Sequence, residues 1–216
     1  MSSLKRECSG SLSTDGWAAL PVFYSDKRVR QNALLEALER RCIDLFNLGK
    51  LPLREIGSNC FVKNYASKFS FERREYYFLL SCCSSKGVRT FGYSVRESVD
   101  SAEIHNCEEI DKRLEILRQN KIDNVSRIGG GTKMASSRIE YFASSEGAET
   151  FCGLLDYALG VSDEIRFDDA FEILEEGKIK NKSFDFFKIY RVILKFSEEY
   201  QSRSNDTGDV SYFLLE

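Results

Sequence analysis

The chain has 216 residues, a net charge of −3 at neutral pH and 42% hydrophobic residues, which suits one domain or two small ones with a sizeable core. The mildly acidic balance excludes a protein that binds nucleic acid through bulk positive charge, and no run approaches the ~18 apolar residues of a bilayer-spanning helix. The opening residues, Met1 to Cys8, carry no apolar signal core, so secretion is not expected.

Residues 1–15 are polar and Ser-rich and read as a disordered tail, with residues 16–216 as a single domain. Residues 17–24 read as a short strand, which Pro21 confines to an edge or end of its sheet. Ser25 or Asp26 then caps a helix running to about Leu48, where Val29, Ala33, Leu34, Leu38, Cys42, Leu45 and Phe46 form one apolar stripe. Gly49 stands where a left-handed C-terminal residue belongs. Period-two alternation follows: Phe69 with Phe71, Tyr76 with Phe78 and Leu80, and, after a turn at 84–87, Phe91 with Tyr93 and Val95. Residues 97–109 are the largest linker-like interval, and Ile110, Leu114 and Leu117 mark a second, shorter helix. Strands are expected at 124–128 and 138–143 around Gly129-Gly130-Gly131, then a third helix from Ser144 or Ser145 to Gly160, buried through Phe151, Leu154, Leu155 and Ala158. A strand at 165–174, a turn at 175–182, a long aromatic strand at 184–196 and a last strand at 210–216 complete the chain. Short connections between strands imply antiparallel pairing. The fold class expected is α+β, an antiparallel closed or nearly closed β-barrel with flanking helices.

Chemistry is sparse along this path. Gly129-Gly130-Gly131-Thr132-Lys133 has glycines and a lysine, but a phosphate-binding loop needs its Ser or Thr after the lysine. His105, the single histidine, has no triad context and only Cys107 as a ligand-type neighbour, and the seven cysteines contain no Cys-x-x-Cys, so reduced thiols are expected. A metal-dependent barrel hydrolase needs acids at i and i+2 of a strand, and the nearest pair, Glu109 and Asp111, falls on a helix. Basic residues and aromatics interleave between 63 and 96, as in single-strand binders, but also as in any half-buried strand. Between Glu146 and Glu176 ten acids face one base, Arg166, and six bases follow from Lys178 to Lys195, a layout that would steer a protein partner. No catalytic residue, metal or cofactor is expected.

Several segments in order carry a family resemblance. They are Arg138-Ile139-Glu140-Tyr141-Phe142-Ala143, the helix Phe151 to Gly160, the hairpin of Phe171 to Gly177 with Phe187-Lys188-Ile189-Tyr190-Arg191, and Ser211-Tyr212-Phe213-Leu214-Leu215-Glu216. This order over 137–216 resembles the Mediator complex subunit 18 family, and Glu75-Tyr76-Tyr77-Phe78-Leu79-Leu80 looks like that family's first-half hairpin. The resemblance implies a nuclear, non-enzymatic subunit of the Mediator head module, a transcription coactivator. It implies pairing with Mediator subunit 20 and with a C-terminal helix of subunit 8, and indirect engagement of RNA polymerase II. No membrane partner and no direct specific nucleic-acid binding go with it. The related barrel of RNA triphosphatases makes a metal-dependent polyphosphate hydrolase the alternative. Phe186, Ile189, Tyr190 and Val192 on the long strand are expected to serve the fold and to contact a partner.

Overall fold

The computed structural model describes residues 13–58, 61–85, 88–123, 143–161, 171–179 and 186–196. These residues form β1 (Ser13–Pro21), α1 (Asp26–Asn47), β2 (Arg54–Ser58), β3 (Val62–Phe71), β4 (Arg74–Ser85), β5 (Val88–Arg96), α2 (Val99–Asp123), α3 (Ser145–Gly160), β6 (Phe171–Ile179) and β7 (Phe187–Phe196). The α+β class and the antiparallel pairing are as expected. Among the described residues the strands make two sheets, β1-β7-β6 and β2-β3-β4-β5. The chain divides into two compact units, residues 1–40 with 169–208 and residues 41–168 with 209–216, so the boundary falls inside α1. The sequence suggested one domain over 16–216, with a tail to residue 15; β1 begins at Ser13, and residues 1–12 lie outside the described residues.

In the first unit β1 is an edge strand and Pro21 its last residue, so the missing N–H interrupts no ladder interior. The sheet face carrying Gly16, Ala18, Val192 and Leu194 is buried. Gly16 is why α1 can lie so close. A Cβ there would sit 2.0 Å from the Ala33 carbonyl oxygen and 2.7 Å from the Ala37 Cβ. Val29, Ala33, Leu34, Ala37 and Leu38 make the stripe of α1, all of them buried.

The second unit is layered. On one face of the four-stranded sheet, Ala66 and Leu79 pack with Ala102 of α2, and Asn106 donates from its amide to the Leu79 carbonyl and the Ser81 hydroxyl, both at 3.0 Å. On the other, Phe91 stacks on Phe151 of α3 with centroids 4.8 Å apart, and Phe46 from the last turn of α1 lies 5.9 Å from the same ring. Tyr77 apart, the aromatics of these strands alternate onto the α3 face, while the α2 face carries small and polar residues such as Ala66, Ser81, Gly92 and Ser94. The end of α1 is a two-bond cap: Gly49, at φ 63°, donates to Phe46 O and Lys50 to Leu45 O. Ser144 caps α3 by accepting from the Gly147 amide.

Two expectations are corrected. Residues 99–109 are not a linker: α2 starts at Val99 and, at 25 residues, is longer than α1 rather than shorter. The turn expected from residue 175 is strand, because β6 continues through Gly177 to Ile179 beside Arg191 and Ile189. The expected strands at 124–128 and 210–216 and the triple glycine lie outside the described residues, as does 138–142 of the strand expected at 138–143.

Candidate interaction surface

The four residues singled out on the long strand are divided between the two faces of the sheet and the residue before it. Val192 is fully buried on the α1 side of the sheet, opposite Gly16 and Glu176. Tyr190 shares that face and is half-buried opposite Ala18, whereas Ile189 looks to the other face opposite Ala19. Phe186 precedes the strand and is 80% exposed. Phe186 is therefore surface, Ile189 and Tyr190 are half-buried on opposite faces, and Val192 is core.

The face turned away from α1 is apolar along two strands. Trp17, Ala19 and Pro21 line it from β1, and Phe187 and Ile189 from β7, with Phe187 opposite Pro21. Trp17 and Phe187 remain 42% and 47% exposed. Arg191 crosses this face, its guanidinium 5.1 Å from the Trp17 ring centre and bonded to the Asp15 carboxylate. At one end of the sheet the surface rises into a tip. The Val22 amide donates to the Phe186 carbonyl at 3.1 Å, which ties the β1–α1 connection to the residue entering β7. Phe23, next along, is 78% exposed, and its ring packs on Tyr24 at 4.7 Å.

Cations surround this tip. Lys27 and Arg28 are exposed on the first turn of α1, and Arg28 lies over the Tyr24 ring at 4.6 Å. Lys178 and Lys188 converge on Asp26 at 2.5 and 3.2 Å, and Lys188 also donates to the Tyr24 carbonyl. The hydrogen bonds from Lys178 and then Lys188 hold the Asp26 carboxyl below its ordinary value of 3.8. Sequence reasoning missed Val22 and Phe23, which look like the end of a strand. The one available signal was Pro21, which stops the ladder just before them.

The other candidates are dispersed. His105 lies in α2, not in a loop, and burial followed by the nearby Arg96 charge lowers its pKa from 6.5. Glu109 of the same helix pairs with Arg113, whose guanidinium also bonds the Phe91 carbonyl on the edge strand β5. Of the interleaved aromatics, Phe69, Phe71, Tyr76 and Phe78 are core, and Tyr77 is half-buried with the Lys68 ammonium 5.9 Å from its ring centre. Cys107 and Cys152 are exposed, while burial, and next the Cys152 charge, push the Cys82 thiol up to about 12.

On β6 two acids share a face without standing at i and i+2. A bulge between Ile173 and Glu175 sets Glu175 opposite Ile193, while Glu172 lies opposite Lys195. The extra residue turns Glu172 and Glu175, three apart, toward the same face of β6. Glu172 is engaged by Lys195 at 2.8 Å. No group of three or more metal-ligating side chains occurs among the described residues. The Gly129 to Lys133 loop is outside them.

No helix among the described residues is long and apolar enough to cross a membrane. Compared with known proteins, the chain matches no family model, no curated protein and no solved structure.

Proposed function

We propose that the protein is a non-catalytic contact subunit of a nuclear transcription coactivator assembly, of the Mediator head type, acting between regulators and RNA polymerase II. The observation that carries the contact reading is the tip where Phe23 and Phe186, 78% and 80% exposed, stand on two segments joined by one backbone hydrogen bond. Apolar side chains so exposed on adjoining segments are the mark of a protein interface. The assignment to the Mediator head draws on the order of segments over 137–216, and it brings with it Mediator subunit 20, the helix of subunit 8 and a closed or nearly closed barrel. Immunoprecipitation of the tagged full chain from native nuclei, read by mass spectrometry, tests it. Stoichiometric recovery of Mediator head subunits is the expected result, and recovery of none removes the assignment.

A second reading, a metal-dependent triphosphatase, gains something from the bulge that sets Glu172 and Glu175 on one face. It predicts phosphate release from a nucleoside triphosphate that depends on magnesium or manganese and is lost in Glu172→Gln/Glu175→Gln. A clean negative with both metals removes it.

A further inference from the structure

We infer that the tip built from Val22, Phe23 and Phe186 is a docking site for an acidic segment of a partner protein that bears bulky apolar side chains. The inference deepens the contact reading and rests on it. Two kinds of group meet at this place. The first is apolar: Phe23 and Phe186 are exposed on different segments, and the hydrogen bond from the Val22 amide to the Phe186 carbonyl ties those segments together. Rings presented this way bring contact area at low entropic cost, because each has only two side-chain torsions to lose.

The second is charge. Lys27, Arg28, Lys178 and Lys188 are four cations around the tip, and Asp26 is the carboxylate that two of them share. Among the described residues, these four cations against one carboxylate leave the rim positive. The pairing also holds Lys178 and Lys188 in place, so the field at the tip is preorganised. A second copy of this chain seated tip to tip would set Lys27 and Arg28 against their own equivalents, which like-charge repulsion opposes. A basic partner meets the same penalty. An acidic segment gains from the rim and can fill the ring surface with Leu, Ile or Phe, so it satisfies both parts at once.

The test uses the full chain and a fluorescein-labelled synthetic helix with Asp and Glu on one face and Leu and Phe at i, i+3, i+4 and i+7 on the other. Controls are the same helix with Lys for its acids, and the same helix with Ser for its apolar residues. Fluorescence anisotropy is expected to show saturable binding of the acidic apolar peptide and affinity at least about tenfold lower for each control. Phe23→Ser/Phe186→Ser and Lys27→Glu/Arg28→Glu are each expected to cost about tenfold as well, with an unchanged melting curve because all four side chains are exposed. Equal binding of the Lys-substituted peptide, or no effect of the Phe pair, overturns the proposal. Sedimentation of the chain with phosphatidylserine vesicles in place of peptide binding also overturns it and makes the tip a lipid surface. Failure here with Mediator subunits still recovered from nuclei would refute the docking site and leave the assembly reading standing.

Discussion

The backbone carbonyl oxygen of Asn106 lies 2.8 Å from the point where a Cβ on Gly92 would stand. β5 and α2 are therefore in contact main chain to main chain, and the close approach is what lets the Asn106 amide reach Leu79 and Ser81 on the neighbouring strand. Gly92→Ala must push the helix or the strand outward, since the obstructing atom is backbone. The expected cost is about 1–3 kcal/mol. Gly177→Ala is the control, because nothing lies within 4 Å of its Cβ position. Urea titrations of both variants are expected to show a lowered midpoint for the first alone. Equal midpoints would show that the packing at Gly92 is looser than the geometry implies.

A tighter approach exists in the first unit. Gly16→Ala would bring a Cβ to 2.0 Å from the Ala33 carbonyl and 2.4 Å from the Ala37 amide nitrogen. Neither can move without unwinding α1 or lifting β1, so the loss should exceed that of Gly92→Ala and reach several kcal/mol, about 3 or more. Thermal melts that rank Gly16→Ala below Gly92→Ala in stability are the expected outcome. The reverse order would mean that β1 shifts at little cost, as an edge strand can when few neighbours hold it.

These glycines bear on how much of the fold the sequence discloses. The limits of α1 were legible because both ends are local chemistry: Ser25 or Asp26 at the start, Gly49 in the left-handed region at the end. The start of α2 was not, because its first three turns bury Ala102 and Asn106 rather than a large apolar stripe. Small and polar residues at those positions are what close approach to Gly92 requires, yet in a hydropathy scan they read as a loop. Gly177 misled in the opposite direction, since a glycine within a strand looks like a turn until β7 is seen beside it. The candidate surface was half legible. Phe186 was marked for its aromatic run, but Val192 belongs to the face on α1, and the nearness of Phe23 depends on a pairing across more than 160 positions of chain. That information is tertiary and has no sequence signal.

The β3–β4 hairpin closes on two residues, since Phe71 pairs with Arg74. Glu72 and Arg73 between them take φ of 48° and 61°. A two-residue turn with both positions left-handed suits the twist of the strands, but side chains there are strained, and Asn-Gly is the preferred pair. Glu72→Asn/Arg73→Gly is expected to stabilise the protein by about 1 kcal/mol. The variant's urea midpoint should rise with its slope unchanged. A fall would mean that contacts of the Glu72 side chain outweigh the backbone relief.

Cysteine reactivity should separate by environment. Cys107 and Cys152 are exposed, whereas Cys42 and Cys83 are buried and the Cys82 thiol is pushed up to about 12 by burial, then by the Cys152 charge. Thiolate is the reacting form, so Cys82 has almost none near neutral pH. Iodoacetamide at pH 8 is expected to alkylate Cys107 and Cys152 first among these five, and Cys42, Cys82 and Cys83 only once urea unfolds the chain. Peptide mapping by mass spectrometry reads the order. Early labelling of Cys82 would mean that α3 leaves the sheet often enough to expose it.

His105 makes stability depend on pH in a stated direction. Burial first, then the Arg96 charge, lowers its folded-state pKa below the ordinary 6.5. Between those two values the unfolded chain binds more protons than the folded one, so stability rises with pH across that interval. Acidification from about pH 7.5 should therefore weaken the fold as the unfolded histidine becomes protonated near 6.5, and this loss levels off once the folded histidine is protonated too. The imidazole is only half-buried, so solvent screening keeps the effect small. His105→Gln, which keeps a polar side chain without a titration near neutrality, is expected to flatten the midpoint-against-pH curve in the range just below the ordinary histidine value of 6.5. Carboxylates titrate mostly below that range and supply the remaining slope in both proteins, so the difference between the two curves isolates His105. A variant curve parallel to the parent's would assign the pH dependence to other groups and place the imidazole in a more polar setting than α2 provides.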